Sequence, residues 1–319
     1  MAKIKLESIE LMKFFAALLI TNSHFDILYG KCSFLGTGGA IGNALFFFCS
    51  GYTLMLSGSV NFRFDQFYKR RINRIYPSVL TWTLLGSLLF STYQEYHAWG
   101  GWFVPCIMLY YVALYLFNKY LTHRVYIWFL FPLICGLVWY FLTLKNADFY
   151  IFNVKLSWIF YSFSFLMGSF TTLLYKKSFK MKTFFSYIGL MASVILFFLV
   201  NYAIKKYHLL DLQWVVFIPL SLSPYFAFNV LSSKFFVKLY YIKKIGPFIK
   251  IVSGLCLEIF LVQLPFITDR FNYLFPFNIL LVFATIVIVA YCVRTIGRFA
   301  VQTFNKEREY NYKAIFKLY

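Results

Sequence analysis

Lys13 and His24 lie in one apolar run, Glu10 to Leu28, with ten residues between them. A fixed cation and a titratable imidazole are rare in such a segment, and an ionisable group inside a membrane span marks function by default. On a continuous helix, eleven steps of about 100° bring both side chains to one face, about 16 Å apart along the axis. Lys13 alone reads as a cation snorkelling to the interface. His24 alone reads as an imidazole hydrogen-bonded to another helix. Sharing a face strengthens the functional reading of the pair.

Three further stretches carry chemistry. "FDQFYKRRINRIYP", Phe64 to Pro77, is the densest basic segment, with Lys69, Arg70, Arg71 and Arg74. Arg71 and Arg74 are three apart and so adjoin on a helix. The stretch serves either as ordinary cytoplasmic charge at a headgroup layer or as a grip on phosphate oxygens, which guanidinium forks fit. "SGLCLEIFLVQLPF", Ser253 to Phe266, puts Glu258 in mid-span. A carboxylate there is functional or locks a partner helix. In "GNALFFFCSGYTL", Asn43, Ser50 and Gly51 interrupt an aromatic run, either for close helix packing or as the polar wall of a tunnel. "STYQEYHAWGGWF" adds Glu95, His97, Trp99 and Trp102, whose aromatics suit a membrane interface or a sugar ring.

The elements that must position these residues are membrane spans. Of 319 residues, 61% are hydrophobic, 24% aromatic and only 13% charged, where a soluble domain is about half apolar and a quarter charged. Ten windows have the length and apolarity of a span: roughly 10–30, 39–59, 75–93, 101–118, 124–144, 156–175, 184–204, 213–231, 248–268 and 274–296. The expected fold is all-α, a polytopic transmembrane bundle with about ten spans. No internal repeat or linker divides it, and the apolar start reads as an uncleaved first span rather than a leader.

The net charge of +20 has its explanation in sidedness. Alternate connections, beginning with the N-terminus, hold 24 of the 31 Lys and Arg; the other set holds 6, and Lys13 lies inside a span. Arg294 to Lys317 are counted with the C-terminal connection. Both termini are therefore expected in the cytoplasm. No basic run joins a base-stacking or groove-reading module, so nucleic acid is not an expected partner. The six cysteines form no C-x-x-C pair and read as small hydrophobes, with no metal site expected. There is no G-x-S-x-G elbow, H-E-x-x-H, Walker loop or dinucleotide fingerprint.

Five phrases, in order, resemble the acyltransferase-3 family of membrane acyltransferases: "IELMKFFAALLITNSHF", "ALFFFCSGYTL", "FYKRRINRIYP", "GWFVPCIMLYY" and "LCLEIFLVQLP". Together they cover nearly the whole chain. Lys13 stands where arginine is commoner, which keeps the charge and loses the fork. Gln263 stands where many members have a second histidine, and no catalytic role is carried onto it.

The resemblance implies a single transmembrane acyltransferase domain over 1–319 with no additional soluble domain, in a bacterial cytoplasmic (inner) membrane. It implies acetyl-CoA as acyl donor and cosubstrate, and a hydroxyl of a polysaccharide or lipid-linked oligosaccharide as acceptor. His24, Lys13 and Glu258 would be the catalytic group. Lys69, Arg70, Arg71 and Arg74 would hold the donor's phosphates, and Ser50 and Trp102 would line the substrate path. The rival is a transporter or flippase for a glycan or lipid-linked intermediate. Against it stand the absence of an inverted repeat and the expectation of no broken-helix pair.

Overall fold

In the computed structural model, residues 6–57, 63–90, 101–143, 154–176, 181–209, 214–304 and 309–318 are described, with the backbone alone at 139–141, 143, 154–156 and 176. Among the described residues the chain forms helices and no strand. They are α1 (Leu6–Ser23), α2 (Gly39–Leu56), α3 (Phe64–Leu89), α4 (Phe103–Tyr120), α5 (Val125–Thr143), α6 (Val154–Lys176), α7 (Thr183–Tyr207), α8 (Phe217–Leu231), α9 (Lys234–Tyr240), α10 (Ile245–Gly254), α11 (Cys256–Val262), α12 (Phe277–Phe304) and α13 (Tyr312–Ile315). The joining segments include the 3₁₀ stretches Asp26–Leu35, Leu264–Phe266 and Asp269–Leu274.

This is an integral membrane, all-α protein. Six described helices are long and apolar enough to cross a bilayer, and eight spans result if each of two bent pairs counts as one. Only 17% of the apolar window of α7 and 22% of that of α12 is buried. Apolar surface of that extent needs lipid to cover it. Each of the ten expected windows holds a helix or a bent pair, but α3 and α5 do not meet the same measure. The reason in α3 is that its basic stretch is part of one continuous helix from Phe64, rather than a connection before a span at Ile75.

Two expectations about straightness fail. The first window bends by 99° after Ser23, and the ninth by 62° between α10 and α11. The chain thus does contain broken helices, which the sequence reading did not expect.

The chain divides into two compact units. The first comprises Met1–Met12, Asn43–Phe64 and Leu109–Tyr241. Its centre is the approach of α2 to α6. A Cβ on Gly51 would stand 1.9 Å from the Phe165 carbonyl oxygen, and one on Gly168 would stand 2.0 Å from that of Phe48. Only glycine fits either place, and the backbones close up as small residues allow between membrane helices. Phe47 stacks on Tyr161 at 5.4 Å, and Tyr52 packs on Phe228 at 4.9 Å. After α9, the chain returns to the start of α1: Tyr240 and Tyr241 donate to Glu10 and Glu7 at 2.5 and 2.6 Å. Burial, and then this bond to Glu10, push the Tyr240 phenol above its ordinary range.

The second unit comprises Lys13–Gly42, Asp65–Met108 and Ile242–Tyr319. Aromatic pairs tie its pieces together: Phe14 to Phe248 (α1 to α10), Phe103 to Phe260 (α4 to α11) and Trp82 to Phe266 (α3 to the segment after α11), at 5.7, 4.6 and 6.3 Å. Among the buried residues of α3, Ile75, Ser78 and Val79, Trp82 and Gly86 recur every three or four positions, with Phe67 eight residues before Ile75. That spacing is one face of a helix.

Candidate functional site

Of the nine residues to which the resemblance gives site roles, eight fall in the second unit: Lys13, His24, Lys69, Arg70, Arg71, Arg74, Trp102 and Glu258. Ser50 belongs to the first, where its hydroxyl shares a 2.9 Å hydrogen bond with that of Tyr111. Glu95, His97 and Trp99 lie outside the described residues.

Lys13 is half-buried within α1, beside the Phe14 that packs on α10. His24 corrects the sequence reading. α1 ends at Ser23, and His24 is the first residue beyond it, half-buried at the 99° turn. Its N–H donates to Thr21 O at 3.1 Å and that of Phe25 to Asn22 O at 3.0 Å. These i to i+3 bonds tighten the last turn and end it. The helical count from Lys13 therefore holds only to the last residue before His24.

Side chains then fix the turn. Asn22 Nδ2 donates to the carbonyls of Leu35 and Thr37 at 2.8 and 2.9 Å, and its Oδ1 accepts from Tyr29 OH at 2.5 Å. On the far side, Asn272 and Asn278 donate to the carbonyls of Ile27 and Leu28 at 2.8 and 3.0 Å. His24 is thus carried on a backbone turn held from both ends.

The basic stretch occupies the first turns of α3. Lys69, Arg70 and Arg74 are exposed, while Arg71 is half-buried with its guanidinium 5.9 Å from the centre of the Phe67 ring. Lys69 and Arg74 make no ion pair or hydrogen bond among the described residues. Exposed cations without a protein counter-charge are what an anionic group needs.

Glu258 has a different setting. Its side chain is 5% exposed, and Arg294 of α12, 14% exposed, meets it at 3.1 Å between Nη2 and Oε2. Arg294 Nε donates to Oε1 at 3.4 Å, and Ser78 Oγ donates to the same oxygen at 2.8 Å. Both carboxylate oxygens are engaged, so Glu258 joins α3, α11 and α12. Arg294 also donates to the Gly254 carbonyl, beside the bend between α10 and α11. Ser78 and Arg294 were missed by sequence. Arg294 had been counted with the C-terminal cytoplasmic charges, yet it sits inside α12. The signal available was a cation at the end of the apolar run "ILLVFATIVIVAYCVR", facing a preceding span that carries a carboxylate.

Trp102 is half-buried just before α4 and meets Phe103 edge-on at 5.9 Å. Five residues beyond Glu258, Gln263 is 1% exposed at the end of α11. Among the described residues no three His, Cys, Asp or Glu cluster as metal ligands. The arrangement offers a fixed imidazole, a set of exposed cations and a neutralised carboxylate within one unit. A family model described as an acyltransferase domain matches residues 6–297. No curated protein and no solved structure matches the chain.

Proposed function

Because the chain belongs to the acyltransferase-3 family, and is a membrane acyltransferase, we propose that it transfers acetyl from cytoplasmic acetyl-CoA to a hydroxyl of a surface polysaccharide or lipid-linked glycan. The membrane would be the bacterial cytoplasmic one, where the donor is at hand on one side. The observation that carries the reading is the placing of His24. An imidazole stands at a turn fixed by Asn22, Asn272 and Asn278, in the same unit as the exposed cations of α3.

In this reading Lys69, Arg70, Arg71 and Arg74 bind the phosphates of acetyl-CoA at the cytoplasmic end of α3. Lys13 guides the donor along α1. The acceptor oxygen attacks the thioester carbonyl carbon while His24 takes the hydroxyl proton. The carbon–sulfur bond then breaks, and the CoA thiolate recovers the proton. Glu258 acts through position: with Arg294 and Ser78 it sets α11 against α3. The bends that break two spans suit this reading as well as transport, because irregular backbone at membrane depth belongs where it lines a path.

The test combines binding and transfer on the detergent-solubilised protein. CoA should raise the melting temperature of the wild type. The double variant Arg71→Ala, Arg74→Ala should lose that shift. His24→Ala should keep the shift and lose acetyl transfer to the host's surface glycan. Identical melting with and without CoA, or full glycan acetylation by His24→Ala, would sink the assignment.

A further inference from the structure

Gln263 is a side-chain amide in the wrong place to be idle. It is 1% exposed, its Oε1 is shut off from solvent, and the side chain makes no hydrogen bond among the described residues. An amide has two donors and two lone pairs to fill, and buried polar groups are almost always paired. Helix ends elsewhere in this chain show how readily it satisfies such groups: Asn22, Asn272, Asn278 and Asn311 all bond to backbone.

The surroundings say what would complete it. α11 ends at Val262 and the chain tightens into the 3₁₀ turn Leu264–Phe266, with Phe266 N–H donating to Gln263 O at 3.2 Å. In such a turn the side chains of residues i and i+3 eclipse. Phe266 is therefore on the same side as Gln263. Phe266 in turn meets Trp82 at 6.3 Å and, edge-on, Phe90 at 5.8 Å. An unfilled amide beside a group of aromatic rings matches a sugar ring. The rings cover its apolar C–H face, and the amide takes one hydroxyl as donor and offers N–H to its neighbour.

Direction along the chain favours the acceptor over the donor. By the charge distribution, α1 and the α10–α11 pair both run outward. His24 and Gln263 each stand at the end of such a run. The donor's phosphates belong at the opposite, cytoplasmic end.

We propose that Gln263, with Phe266, Trp82 and Phe90, forms the subsite that binds and orients the sugar ring of the acceptor. The proposal rests on the acyltransferase reading above.

The experiment uses the full-length protein in detergent, radiolabelled acetyl-CoA, and the host's surface polysaccharide after alkaline de-O-acetylation. Gln263→Leu keeps size and removes the unfilled amide. Its melting temperature should equal or exceed that of the wild type. Its KM for the polysaccharide should rise on the order of tenfold or more, while its KM for acetyl-CoA stays unchanged. Gln263→Asn, which keeps the amide on a shorter arm, should fall between. Phe266→Ala should likewise raise the polysaccharide KM alone. Wild-type kinetics in Gln263→Leu would overturn the proposal, and so would a rise confined to the KM for acetyl-CoA. A lowered melting temperature with both constants disturbed would make Gln263 structural. No transfer by the wild type would instead overturn the acyltransferase-to-glycan reading, and this subsite with it.

Discussion

A buried carboxylate must be neutralised or it does not stay ionised, and Glu258 shows how the chain meets that demand. Arg294 brings two nitrogens to it and Ser78 a hydroxyl. Removing one partner leaves the other charge uncompensated. Arg294→Met should therefore destabilise the protein by about 3–5 kcal/mol, whereas Glu258→Leu combined with Arg294→Met should recover much of that loss. Thermal unfolding of the two variants in one detergent decides it; equal melting of Arg294→Met and wild type would show that the pair carries no stability. The sequence reading found half of this pair. Glu258 stood out because nothing near it in the chain shares its charge. Arg294 did not, because a hydropathy window closing at residue 296 leaves a cation at 294 looking like the start of a connection. Pairing across 36 residues is tertiary information that no local window holds.

At the scale of elements, apolar length was legible and bending was not. The run from Glu10 to Leu28 reads as one span because the residues after the turn, Ile27 and Leu28, are as apolar as those before it. The stop lies in three polar residues, Asn22, Ser23 and His24. Ser23 Oγ turns back to the Ile20 carbonyl at 2.7 Å, and Asn22 reaches forward to Leu35 and Thr37. Side chains of this kind compete with the helix for its own backbone. They signal an end only once their distant partners are known. Asn22→Leu removes three hydrogen bonds while nearly keeping volume. At about 1 kcal/mol each, it should cost roughly 2–4 kcal/mol and loosen the turn that carries His24. The melting shift expected from CoA, which the proposed function assigns to α3, should persist while acetyl transfer falls. Loss of the CoA shift along with transfer would mean that the turn and the cation group are not separable. The α2–α6 contact gives the contrary case. For Gly51 the sequence allows either packing or a tunnel wall, and the 1.9 Å at which an added Cβ would meet the Phe165 carbonyl oxygen makes it a packing residue. Ser50, its neighbour, is spent on Tyr111.

For the whole molecule, the charge asymmetry carries an argument that single helices cannot. Six helices qualify as spans by length and apolarity, and eight with the bent pairs. Ten result if α3 and α5 also cross. All three counts are even, so each keeps both ends of the chain on one side. Counting only one of α3 and α5 would make the number odd and place the connections on mixed sides. With the termini in the cytoplasm, the proposed reading needs residue 64 to begin α3 there, so that Lys69, Arg70, Arg71 and Arg74 meet a phosphorylated donor; eight or ten spans give that placing and six do not. Moving Arg294 out of the cytoplasmic count and into its pair with Glu258 leaves that bias intact, at 23 against 6 of the 31 Lys and Arg. A fluorescent protein fused after Tyr319 should therefore fold and fluoresce, and alkaline phosphatase at the same point should be inactive. The same pair of reporters placed after Tyr120 should give the cytoplasmic result too, since Lys119 and Arg124 flank that connection. A C-terminal fusion active as phosphatase would mean either an odd number of spans or both ends of the chain outside. A phosphatase-active fusion after Tyr120 would mean that only one of α3 and α4 crosses the bilayer.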